Sequence, residues 1–106
     1  MLKKKDLNIA MELKKRLSEQ VQLVDMSVFG SRARGNAAED SDMDVFIEVD
    51  CLDKKLKEQI LDITWEIGFE NLMVISPLIV SRDELDNSPL RSSSIIKSIR
   101  QEGYRI

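Results

Sequence analysis

Apolar residues recur at helical spacing near the start of the chain, where Ile9, Leu13 and Leu17 fall at i, i+4 and i+8. Lys14, Lys15 and Arg16 lie off that line, so the pattern predicts an amphipathic helix over 6–20 with Asp6 as its N-cap. Residues 21–29 are mostly apolar, with Val24, Met26 and Val28 alternating, and they stop at Gly30, as a buried strand would. A polar, small-residue stretch follows, and Met43–Val49 then predicts a second strand. Over 53–68, Leu56, Ile60, Ile63 and Ile67 share one face of a second long helix that ends near Gly68. A third strand is expected over 72–80; Pro77 lacks a donor and places it at a sheet edge or a strand end. Ser81 and Glu84 have capping-box spacing for a short helical turn. Ser88 and Pro89 look like the N-cap and first residue of a last helix carrying Leu90, Ile95, Ile96 and Ile99. Gly103 closes that helix, and 104–106 would form a terminal strand. Helices alternating with strands predict an α/β (or α+β) fold, a small mixed β-sheet flanked by helices, as one domain over residues 1–106.

Composition narrows the chemistry. Hydrophobic residues at 42% and charged residues at 33% describe a globular protein, not a disordered one. No apolar run is long enough for a bilayer and no apolar segment follows the basic start, so neither a membrane span nor a signal peptide is expected. The single cysteine, Cys51, builds no disulfide framework, and a reducing, cytoplasmic setting is expected. There is no histidine, which excludes imidazole bases and His-ligated zinc. Any metal would be a hard cation on oxygen ligands. A net charge of −3 argues against a dedicated DNA-binding surface.

The chemistry-bearing segment joins Gly30, Ser31, Arg32, Arg34 and Gly35 to Ser41, Asp42 and Asp44. Asp42 and Asp44 are two apart at the head of an apolar strand, so their side chains share a face with Cα atoms roughly 6–7 Å apart. Two carboxylates so placed invite a divalent cation. Gly30 and Ser31 follow a buried strand and open a helix, the arrangement in which backbone N–H groups receive an anion. Arg32 and Arg34 could lend positive charge to a polyphosphate, or simply be exposed helix charges. A phosphate site beside a metal site suggests phosphoryl or nucleotidyl transfer. An EF-hand is excluded because Val45 stands where glycine is needed and Cys51 where glutamate is, and a P-loop lacks its Gly-Lys-Ser/Thr.

With ten residues between Ser31 and the Asp42-Met-Asp44 triplet preceded by Ser41, the segment resembles the signature of the minimal nucleotidyltransferases of the polymerase-β superfamily. The strand from Ile75 to Ser81 and the terminal Ile-Arg-Gln-Glu-Gly-Tyr pattern are similar to the same group. The resemblance implies a nucleotidyltransferase-like fold, with Gly30 and Ser31 gripping the triphosphate and Asp42 and Asp44 as catalytic ligands of Mg2+ (or Mn2+). Ser41 joins Gly30, Ser31, Arg32 and Arg34 as a candidate nucleotide-binding residue, with ATP as the expected nucleotide. Stand-alone members are similar to antitoxins paired with a HEPN-domain toxin, some of which attach AMP to a toxin tyrosine. Such a toxin is therefore the expected partner and acceptor.

One departure separates two readings. Active members of that family usually carry a third carboxylate on the strand after the second helix, but here 71–76 contains no acid. Glu70 lies just before it, and Glu48 and Asp50 lie farther along the Asp strand. The chain is thus either an enzyme transferring a nucleotidyl group to a partner protein or an antitoxin acting by contact through a weakened site. Trp65 and Phe69 read as core or dimer contacts, and homo-oligomerisation is compatible with the apolar helix surfaces.

Overall fold

In the computed structural model, which describes residues 1–106, helix α1 runs over Lys4–Gln20 and strand β1 over Leu23–Phe29. Helix α2 (Gly30–Arg34), strand β2 (Met43–Val49), helix α3 (Lys54–Glu70) and strand β3 (Ile75–Ser81) follow. A short α4 (Arg82–Asn87), a 3-10 turn (Pro89–Ser92), α5 (Ser94–Glu102) and a two-residue β4 (Tyr104–Arg105) complete the order. The strands form one mixed sheet in the order β3-β2-β1-β4. β1 pairs antiparallel with β2 and β4, while β2 and β3 run parallel, joined through α3. β3 is an edge strand, where a proline is tolerated. No helix is long and apolar enough to cross a membrane.

β2 is covered on both faces, which is why Val45–Val49 reads as a nearly continuous apolar run. Met43, Val45, Ile47 and Val49 face one way and pack with Met26 and Val28 against Ile9, Leu13 and Leu17 of α1 and Ile60, Ile63 and Ile67 of α3. Phe46 faces the other way and joins Val80, Leu85, Ile96 and Ile99 in a smaller cluster under α4 and α5. Asp44 and Glu48, two positions either side of Phe46, share that second face.

Three local expectations are corrected. α1 starts at Lys4 with Lys3 as N-cap, and Asp6 lies inside the first turn, buried rather than capping. Ser88 caps only the 3-10 turn; Ser93 has an extended backbone, breaks the segment and caps α5 through Ile96 N–H. Trp65 and Phe69 are not core residues but stand exposed on α3. The capping box at Ser81 and Glu84 forms as expected.

Glu48 is the one carboxylate buried in the β2 interior without a hydrogen-bonded partner; Arg82 comes no nearer than 4.0 Å. Burial, and then the charge of Asp25 across the strand pair, push its carboxyl above the ordinary carboxylate value. A raised folded value favours the neutral form, so the associated stability is present at low pH and is lost as pH rises through that value. Glu48→Gln is therefore expected to melt higher than wild type near neutral pH, with the gap closing as pH falls to about 4. Paired thermal melts across that range check it.

Candidate active site

β1 delivers the chain into the site. Phe29 pairs with Asp44 in the antiparallel register, and the backbone turns at once at Gly30 into α2. Gly30 has φ +75°, the left-handed region that favours glycine, and Gly35 ends α2 in the same conformation. A Cβ at Gly30 would lie 2.6 Å from Asp44 Oδ2, so the Gly30-Ser31 turn sits directly against the Asp44 carboxylate, which would have to shift for any side chain there. The expected phosphate-gripping turn and the expected metal ligands are thus neighbours across two strands.

Asp42 is exposed at the mouth of β2, and Asp44 is half-buried within it. Burial, and then the nearby Asp42 charge, raise the Asp44 carboxyl above its ordinary value. Neither carboxylate is in an ion pair. Two converging, unneutralised carboxylates fit a hard divalent cation. No third ligand joins them: nowhere do three histidine, cysteine or acidic side chains gather as a metal site. In the parallel register the neighbour of Asp44 on β3 is Ser76, an exposed hydroxyl. Glu70 is held by Arg16 through bonds of 2.8 and 2.9 Å at the end of α3. Glu48 lies four residues along β2, about 13 Å from Asp44.

The guanidinium of Arg32, an expected phosphate contact, is engaged within the protein. Its guanidinium is buried and bonds Asp6 Oδ1 at 2.9 Å. Its Nε and second nitrogen donate to Ser41 O at 3.0 and 2.7 Å, and to Glu39 O at 2.9 Å. These bonds use its planar fork to fasten the loop that leads into Asp42. Arg34 remains at the surface, 3.7 Å from Glu102 of α5, and Ser31 is partly exposed at the turn. Ser41 supplies its carbonyl to Arg32 and stands partly exposed beside the Asp pair.

A family model described as "Nucleotidyltransferase domain" matches residues 10–102, a span that includes the turn and both aspartates. The chain belongs to this family. The expected fold is borne out in the nucleotidyltransferase domain as a four-stranded mixed sheet flanked by helices, and solved structures share it. A mutant toxin–antitoxin MntA–HpeT structure superposes with TM-score 0.60 at 18% identity, covering 91% of this chain and 69% of that one. A toxin–antitoxin structure with AMP-PNP gives 0.58 at 20% identity, covering 92% and 69%. An MntA–HepT toxin–antitoxin structure gives 0.53 at 16%, covering 93% and 69%. No curated protein matches the sequence.

The structure of this nucleotidyltransferase domain adds one residue that the sequence did not flag. Asp6 is the buried counter-ion of Arg32, 26 positions away. An acidic residue in the first turn of a helix has an ordinary local explanation, and only the folded chain shows the second one.

Proposed function

We propose that this domain binds a magnesium–nucleoside triphosphate, with ATP as the expected nucleotide, and transfers its nucleotidyl group to a partner protein in a cytoplasmic toxin–antitoxin pair. The observation that carries the reading is the contact of the Gly30 turn with Asp44, which supports triphosphate and cation binding in one place. In this reading residues 1–106 act as one domain. Gly30 and Ser31 offer backbone N–H groups and a hydroxyl to the phosphates, and Asp42 and Asp44 hold the cation. When bound, that cation supplies charge neutralisation for the phosphates. The acceptor hydroxyl oxygen bonds to the α-phosphorus, the bond to pyrophosphate breaks, and the hydroxyl proton passes to solvent. Arg34, the last residue of α2, offers positive charge to the phosphates if it leaves Glu102.

The toxin–antitoxin setting rests on the fold shared with the MntA structures, and the nucleotide on the similar toxin–antitoxin structure with AMP-PNP. A second reading, neutralisation by contact alone, is favoured by Ser76 standing beside Asp44 where an acid would complete the metal site.

The test adds the purified chain, Mg2+ and α-labelled ATP to lysate from its own cells. A labelled protein band is expected, and it should vanish with Asp42→Ala or Asp44→Ala, a loss of at least about 100-fold in rate. Label that persists in both variants would remove the aspartates from the reaction. No label with wild type, while a partner still co-purifies, would support contact alone.

A further inference from the structure

Five of the chain's nine exposed large apolar side chains lie together: Leu61, Trp65 and Phe69 on α3, with Leu72 and Val74 in the connection to β3. Trp65 and Phe69 stack with centroids 5.4 Å apart and planes 10° from parallel, yet each is about 70% exposed. Leu72 is 94% exposed and holds φ 52°, a left-handed conformation unfavourable to a leucine, so the backbone is constrained while its apolar side chain faces water. Monomers seldom expose so continuous an apolar surface unless something binds there.

This surface adjoins the site. A cavity of about 400 Å³ is lined by Trp65, Phe69, Leu72 and Val74 on one side and by Glu39, Asp40 and Ser41 on the other, directly before Asp42. Met43 N–H, between the two aspartates, donates to Val74 O at 2.9 Å. The exposed carboxylates of Glu39 and Asp40 enter no ion pair, and Asp62 is likewise exposed and unpaired. Lys3 and Lys5 line a neighbouring cavity with Glu39 and Leu72, yet neither forms an ion pair with Glu39 or Asp40, so both carboxylates stay free for a basic partner.

We propose that the Trp65–Phe69 face docks the acceptor protein, through a segment that lays apolar side chains on the aromatic pair and sets basic side chains against Glu39 and Asp40. The assignment of that partner as acceptor rests on the transfer reading above. Docking there would bring the segment to the edge of the site, beside the loop that ends in Asp42.

The test places the photo-crosslinking residue p-benzoylphenylalanine at position 69 of the full chain in its own cells, with the same residue at Lys97 on α5 as control. The protein captured only from position 69 is identified, purified and titrated against wild type. Trp65 is the only tryptophan, so docking should shift its emission to the blue and shield it from acrylamide. By calorimetry, Trp65→Ala should weaken binding about thirtyfold. Paired Glu39→Lys and Asp40→Lys changes should weaken it further, and added salt should weaken binding of the wild type. Circular dichroism of these surface variants should match wild type. A cross-link to a second copy of the chain, no specific cross-link, or a purified partner that leaves Trp65 emission unchanged would overturn the proposal. The two readings separate cleanly. A partner that docks on Trp65 but never receives label leaves the surface standing and removes the transfer. Label passed to a partner with no change at Trp65 does the reverse.

Discussion

Arg32→Ala is expected to cost about 3–5 kcal/mol, a large part of the stability of a chain this size. The change leaves Asp6 buried without its counter-ion and strips Ser41 and Glu39 carbonyls of the donors that hold them. Urea unfolding at constant slope would read this as a large fall in midpoint. The companion variant Asp6→Leu/Arg32→Met separates the two losses. Replacing a buried ion pair by packed apolar groups is often nearly neutral, so much of the stability should return. The carbonyl bonds do not return with it. The loop before Asp42 should stay loose, and nucleotide binding should remain weakened in a folded protein. Recovery of both together would show that Arg32 serves the fold and not the site.

Gly30→Ala is expected to leave the protein folded and remove its transfer activity. An alanine at φ +75° costs about 1–2 kcal/mol, a loss that most of the sheet can absorb. The new methyl also falls 2.6 Å from Asp44 Oδ2, so the carboxylate or the turn must shift. A displacement of about 1 Å in a positioned group can lower a rate by about 100-fold. Label transfer and Mn2+ titration on the same preparation, set beside its melting curve, check this. Loss of transfer with an intact melt supports the contact; full activity in a folded variant contradicts it.

The elements were legible because each has a local cause. The spacing of Ile9, Leu13 and Leu17, the capping box at Ser81 and the glycine after Phe29 each act within one or two turns of chain. The Gly30-Ser31 turn and the Asp42, Asp44 pair could be read for the same reason, and the fold then set them side by side. What stayed hidden depends on distant partners. Asp6 and Arg32 each suit an ordinary local role, and their pairing exists only after α1 and α2 meet. Trp65 and Phe69 come two residues after the buried Ile63 and Ile67, about half a turn round α3, which puts the exposed rings on the face opposite the apolar stripe. The parallel pairing of β3 with β2, which puts Ser76 beside Asp44, is a register that no local pattern specifies.

Both borders of the sheet are blunted. On one side β4 has two residues and covers only Ser27 and Val28 of β1, while Asp25 beside it is tied to Arg105. On the other, Pro77 removes a backbone donor from β3. Unpaired edges recruit further strands, and short length, edge charge and proline each discourage that recruitment. A concentrated solution of this chain has little means of growing fibrils or swapping strands. Association therefore has to proceed through side chains, where a few substitutions are enough to tune or abolish it.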